Sequence, residues 1–310
     1  ASSELAELNA MSEQIKSMTL YAPSEILKEI KEKELSEEEI SSLINLGKKD
    51  ILIALARSQK LNSVQIKEML PNAPYLAVCL LVEKQDISEV RAEILEKIKF
   101  QGFKNKALKK LGANKELKII LITASYGKTS IKNFLFEILK DSFVCYKTPR
   151  SVNTMAGIIK DINENLSEQT QIYIVEAGAR LKGDILEITK FLNPQIVIVG
   201  EIGAQHIEYF KTLDNIRATK LEALQSARSQ MAFLHSSTKK EPSQNLEIYD
   251  ESLKDINANL DGVSFMLDGK NYASPLLGKF NATNLAVCIK VARYLKMSDE
   301  AIDSALSKMK

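Results

Sequence analysis

Three short runs constrain this chain more than any other feature: residues 118–123, 171–176 and 195–200 are almost unbroken apolar, β-branched stretches. A strand with one wet face alternates apolar and polar residues, so runs apolar at nearly every position must be covered on both faces, as in a parallel sheet. Right-handed crossovers between such strands put the intervening helical stretches on both sides. From residue 230 to 276 the chain is more polar. There, runs at 231–234, 246–249 and 263–267 and turn signals at Asp261-Gly262 and Asp268-Gly269 predict an antiparallel edge on the main sheet.

The first 104 residues follow another grammar, with short amphipathic helices separated by turn or cap residues at Ser24, Ser36, Asn62 and Ser88 and no convincing strand. Apolar positions recur at a spacing of 26: Leu35, Ile40, Leu43 and Ile44 are echoed by Leu61, Ile66, Met69 and Leu70, then by Ile87, Ala92 and Leu95. Stacked helix pairs produce such an echo, and an irregular helical bundle is the other fold open to this half. The apolar pattern resembles leucine-rich-repeat-variant and HEAT-like solenoids. Such surfaces often bind a protein partner, although nothing in these residues names one. The fold class expected is α/β, a parallel sheet with an antiparallel edge, preceded by an all-α domain. The boundaries are 1–104 and 105–310.

Composition narrows the location and the partners. The longest apolar stretch, 76–82, is far short of the roughly 18 to 20 residues a membrane span needs, and no basic-then-apolar leader opens the chain. A cytoplasmic location is expected. Cys79, Cys145 and Cys288 are odd in number and scattered, which fits neither a disulfide framework nor a thiolate metal site. A net charge of +2 gives no long-range pull on nucleic acid. Residues 97–118 nevertheless hold eight lysines against one glutamate, readable as a solvated linker or helix face or as a phosphate-attracting patch.

The first buried run leads directly into Thr123-Ala-Ser-Tyr-Gly-Lys-Thr-Ser130, and Ile131, Phe134, Leu135 and Ile138 then share one helical face. Strand, glycine-containing loop and helix in that order make a phosphate-binding loop. Backbone N–H groups of Ser125, Tyr126, Gly127 and Ser130 at a helix N-terminus attract phosphate, Lys128 neutralises it, and the Thr129 hydroxyl offers an oxygen to Mg²⁺. The nucleotide expected is ATP.

This loop is shorter than the common G-x-x-x-x-G-K-[ST] pattern and, with the residues downstream, resembles the Mur ligase family of ATP-dependent amide-forming enzymes. Ala124 stands where that family's loop has its first glycine. Thr148-Pro-Arg-Ser-Val-Asn153 is similar to the T-P-x-S-x-N segment of the branch that adds D-alanyl-D-alanine to a UDP-muramoyl-tripeptide. Glu176-Ala-Gly-Ala179 is similar to E-x-G-A, and Gly203-Ala-Gln-His206-Ile-Glu208 to G-x-x-H-x-E, preceded by Glu201 where asparagine is usual. Gly278-Lys-Phe-Asn281-Ala-Thr-Asn284 resembles G-x-H-N-x-x-N, with Phe280 in place of the histidine.

The resemblance implies two Mg²⁺ ions, held by Thr129, Glu176, His206 and Lys220, the last carbamylated on a helix expected to be capped by Asp214. It implies an adenine near Asn281 and Asn284, and Ser151 and Asn153 near the γ-phosphate and the acyl acceptor. It also implies an acyl-phosphate mechanism in which Lys128, His206 and Lys220 serve the phosphoryl transfer. Because the family adds a domain on either side of this one, the chain is expected to be an ATP-binding domain with little turnover alone. Two rivals remain: a helical interaction scaffold carrying a non-catalytic nucleotide domain, and a folylpolyglutamate-synthase-like ligase, against which residues 148–153 argue. A nucleic-acid-driven ATPase is the least favoured.

Overall fold

In a computed structural model, residues 23–205 and 207–309 are described, and the chain divides between Asn105 and Lys106 into two compact units. No described helix is long and apolar enough to cross a membrane.

In the first unit the chain folds into α1 (Pro23–Glu32), α2 (Glu37–Asn45), α3 (Lys49–Ser58), α4 (Ser63–Met69) and α5 (Tyr75–Lys84), followed by the start of α6 (Arg91–Ala113). Helices α1, α3 and α5 stack successively as one layer, and α2 packs on α4 in a second. Reciprocal capping boxes open α2 (Ser36 with Glu39) and α4 (Asn62 with Gln65), each satisfying two backbone donors that a helix start leaves unpaired.

The repeat is held by polar groups as well as apolar ones. Gln59 Oε1 accepts from Leu35 N at 3.1 Å, while its Nε2 donates to the carbonyls of Ile30 and Lys33 at 2.5 and 2.8 Å. Gln85, 26 residues on, accepts from Leu61 N at 3.0 Å and donates to the carbonyls of Ala56 and Gln59 at 3.4 and 2.7 Å. Each glutamine thus pairs the backbone groups that the preceding turn leaves over. The third echo holds only at Ile87, which packs against this core: Ala92 is exposed and Leu95 is 45% exposed, while Val90 and Ile94 are buried. A 3₁₀ turn at Ser88–Val90 precedes α6 and rotates its apolar face. The lysines from Lys97 to Lys110 lie on helix α6 rather than in a linker, both of which the sequence left open.

The second unit is built on six parallel strands in the order β2-β3-β1-β4-β5-β6. They are β1 (Lys118–Thr123), β2 (Cys145–Lys147), β3 (Ile172–Glu176), β4 (Ile196–Val199), β5 (Met231–Leu234) and β6 (Leu246–Ile248). Ile120, Ile122, Ile174 and Ile198 pack under α7 (Lys128–Leu139) and α12 (Phe280–Tyr294), and the alternate residues Leu121, Val175 and Val197 are as deeply buried on the other face. The remaining helices of the unit are α8 (Met155–Asn165), α9 (Asp184–Leu192), the short α10 (Ile207–Phe210), α11 (Leu213–Leu221) and α13 (Asp299–Ser307).

The antiparallel strands depart from expectation. Instead of edging the main sheet, β7 (Leu253–Asn259), β8 (Gly262–Leu267) and β9 (Lys270–Ser274) form a sheet of their own, whereas the runs at 231–234 and 246–248 extend the parallel sheet. The small sheet turns Val263, Phe265, Leu267 and Tyr272 into the same core as α12, which explains why that helix is apolar on nearly every side. It also places α12 along α7, so that the first turn of α12 ends at the phosphate-loop sequence.

Candidate functional site

Three adjacent strands end together. Thr123 closes β1, Glu176 closes β3 and Val199 closes β4, with Ile122 opposite both Glu176 and Ile198. The chain reverses its direction of sheet building around β1, and open α/β sheets bind ligands at the carboxyl ends of strands beside such a switch.

The loop after β1 is pinned from below. Ser125 is buried, its N–H donates to Glu201 O at 2.8 Å and its hydroxyl donates to Gly203 O at 3.0 Å. Gly127 is the N-cap of α7 with φ +78°, a left-handed conformation that a side chain rarely tolerates. A Cβ there would also stand 2.6 Å from Asn284 Oδ1, so the glycine answers both a backbone and a space requirement. Tyr126 is 49% exposed and Ser130 half-buried at the helix start.

Lys128 folds back across the loop and donates to the carbonyls of Ala124 at 2.7 Å and Ser125 at 3.3 Å. Burial lowers its pKa, against the upward pull of the Glu176 charge. Thr129 donates its hydroxyl to Glu176 Oε2 at 2.9 Å, and Asn153 Nδ2 lies 3.5 Å from Oε1 of the same carboxylate, at the outer limit of a hydrogen bond. Asn153 O accepts from Gly178 N at 2.8 Å, and a Cβ on Gly178 would meet the Asn153 amide at 2.8 Å. The 148–153 segment and the strand-end carboxylate therefore form one surface, with Ser151 exposed beside it.

Lys220 is buried on α11, and its pKa falls to about 8, chiefly through burial and then through the charge of Lys128, with Asp184 and Glu222 opposing. Glu222 is fixed by the N–H groups of Gly183 and Leu186 at 2.9 and 3.0 Å, where it caps the start of α9. The cap of α11 is Thr212, whose hydroxyl accepts from Asn215 N at 3.1 Å; Asp214 sits in the first turn and pairs with Arg217. A threonine two residues earlier satisfies the orphan N–H, leaving the aspartate to the solvent side. His206 lies outside the described residues.

Helix α12 begins at Phe280, so Asn281 and Asn284 lie within its first turns. Asn284 reaches Gly127, whereas Asn281 is buried, with its Nδ2 donating to Leu277 O at 2.9 Å and its Oδ1 without a partner. Two lysine-related features escaped the sequence reading. Lys132, one turn beyond Lys128, is 1% exposed and pairs with Glu176, and the charges of Asp184 and Glu222 act on Lys220. The available signal for Lys132 was a lysine beside Ile131 and Leu135 on the buried stripe of α7.

A strand–loop–helix with this cation, hydroxyl and carboxylate has the arrangement of the phosphate-loop class of α/β domains. Residues 122–292 match the Mur ligase middle domain, and the chain belongs to the Mur ligase family. It is 29% identical over 163 residues to the UDP-N-acetylmuramoyl-tripeptide–D-alanyl-D-alanine ligase of Rickettsia prowazekii, covering 52% of this chain and 36% of that one. It is 25% identical over 207 residues to the enzyme of the same name from Bacillus subtilis, covering 62% and 45%. The MurF ligase of Thermotoga maritima, solved in complex with ADP, superposes with a TM-score of 0.59 at 25% identity over 68% of this chain and 52% of that one. MurF from Acinetobacter baumannii, at 23% identity and a TM-score of 0.62 over 68% and 50%, shares the fold. The chain thus spans less than half the length of these two curated relatives.

Proposed function

We propose that this chain binds Mg-ATP at the loop of residues 123–130 and supplies the ATP-binding domain of a cytoplasmic ligase joining D-alanyl-D-alanine to a UDP-muramoyl-tripeptide. The observation that carries the reading is the convergence of Lys128, Thr129 and Glu176 at the ends of β1 and β3. The names of the relatives and the 148–153 segment support the substrate assignment.

The donor set fits the cofactors. A threonine hydroxyl and a carboxylate are the hard oxygens Mg²⁺ prefers, and the backbone N–H groups at the start of α7 suit phosphate. Bound there, Mg²⁺ would neutralise charge on the phosphate oxygens. Lys128, released from the loop carbonyls, would turn its ammonium to the β and γ phosphates. Asn284, against Gly127, would hold the loop shape and one side of the adenosine, with Asn281 behind it. Asn153 and Ser151 would orient the substrate carboxylate for in-line attack on the γ-phosphate, and the resulting acyl-phosphate would be opened by the incoming amine. Positioning and charge stabilisation supply most of the rate in such transfers.

A second ion is assigned to His206 and to Lys220 as its carbamate. Carbamylation joins a neutral amine to CO₂ and releases one proton, so it needs the unprotonated lysine. With a pKa of about 8, roughly one Lys220 in four is neutral at pH 7.5, against about one in a thousand for an ordinary lysine. The helical unit supports an added role as a partner-binding module, since its glutamine-paired layers are those of a stacked repeat. Pull-down with the whole chain and with a variant bearing charged residues on α5 would test it.

Equilibrium binding of a fluorescent ATP analogue to the parent and to Lys128→Ala tests the nucleotide assignment. The variant should bind at least about tenfold more weakly; equal affinities would remove the site.

A further inference from the structure

Lys132 is used by nothing in the proposed reaction, yet it is among the most deeply buried charges of the α/β unit. Its side chain is 1% exposed and its Nζ lies 3.4 Å from Oε2 of Glu176, itself wholly buried. The same ammonium donates to the carbonyl of Arg150, a residue with φ +46° in the 148–153 segment. Glu176 Oε2 meanwhile accepts from Thr129. One cation therefore joins the second turn of α7, the end of β3 and the loop after β2. An unpaired carboxylate at this depth is strongly disfavoured, because water cannot solvate it.

We propose that Lys132 is a positioning residue, the resident counter-ion that pairs with Glu176 and keeps it aimed at Thr129 before metal arrives, and that it then competes with the incoming Mg²⁺ for that carboxylate. The inference rests on the nucleotide-site reading above and deepens it. Two cations cannot both be fully neutralised by one carboxylate. The lysine thus keeps the empty site folded and at the same time weakens its hold on the divalent ion. Through Arg150 O it also transmits the state of the metal ligand to residues 148–153.

The test is a melting curve of the whole chain across MgCl₂ concentrations with a saturating non-hydrolysable ATP analogue, for the parent, Lys132→Met and Lys132→Arg. Lys132→Met should melt lower without Mg²⁺ and reach half of its Mg²⁺-dependent rise at about tenfold lower Mg²⁺, because a neighbouring positive charge is gone. Lys132→Arg, which keeps the charge, should behave as the parent. Half-saturation within about twofold of the parent in Lys132→Met would overturn the inference.

A second variant covers the case in which Lys132→Met fails to fold. Lys132→Met/Glu176→Gln removes both charges, and should recover the melting temperature while losing the Mg²⁺ response. A double variant as unstable as the single one would show that Lys132 acts by packing and would overturn the proposal. A parent that binds the nucleotide analogue by calorimetry while Lys132→Met matches its Mg²⁺ dependence removes this inference alone. A parent that binds no nucleotide removes both readings.

Discussion

The two units solve the same problem, pairing buried polar groups, by opposite means. In the helical unit the solution is local and repeated: Gln59 and Gln85 each cap the turn of the helix pair before them, with partners 24 to 29 residues away. In the α/β unit the solution is non-local and made once. Glu176 gathers Thr129 and Asn153, 47 and 23 residues distant, and Lys132, one turn beyond Thr129 on the same helix. Repetition builds a stack that tolerates changes of detail, while a single convergent cluster concentrates charge where a ligand can use it.

The largest effect that would break this contrast is in the stack. Gln59→Leu leaves one N–H and two carbonyls without their partner and should destabilise the helical unit by about 3 kcal/mol. Hydrogen exchange at Leu35 would show the loss locally, and an unchanged rate would mean the glutamine is incidental.

Next comes the buried cation at the convergent site. Lys220 has its pKa lowered from 10.5 to about 8, so the unfolded chain holds more protons than the folded one between those values. Stability therefore rises with pH across that window, and the folded state carries the full cost of the charge below about pH 8. Lys220→Met should remove that slope and, at pH 7, stabilise the unit by about 2 kcal/mol, discounted for residual solvent. Parallel denaturant titrations at pH 7 and pH 10 for the parent and variant would reveal it, and parallel slopes would contradict it.

Smaller effects sharpen the comparison. Gly127→Ala places a Cβ at φ +78° and against Asn284, and should cost about 1 to 2 kcal/mol in thermal unfolding. At the cap of α11, Thr212→Ala should cost about 1 kcal/mol and Asp214→Ala less than about 0.5. The reverse order would restore the aspartate cap that the sequence suggested.

Much of the fold was legible because its causes are local. Continuously apolar runs announce strands covered on both faces, and the 26-residue echo announces stacked helix pairs. The echo misled only where a 3₁₀ turn changed the phase of α6, a backbone effect invisible to an apolar count. The antiparallel strands were legible as strands but not as a separate sheet, because which edge a strand joins depends on helix α12, whose apolar character on all sides was the missed sign.

In the site, the structure brings Thr129 and Asn153 to Glu176 and Asn284 to Gly127, all residues that the sequence had singled out. Lys132 did not announce itself. Pattern reading treats a lysine on an apolar stripe as an error of phase, whereas here a carboxylate 44 residues on compensates it.

That convergence on Glu176 is tested most directly by calorimetry with a non-hydrolysable ATP analogue, with and without Mg²⁺, on the parent and on Glu176→Gln. Mg²⁺ should tighten binding to the parent by about tenfold or more and leave the variant nearly unchanged. An equal gain from Mg²⁺ in both would mean that the carboxylate at the end of β3 does not hold the metal.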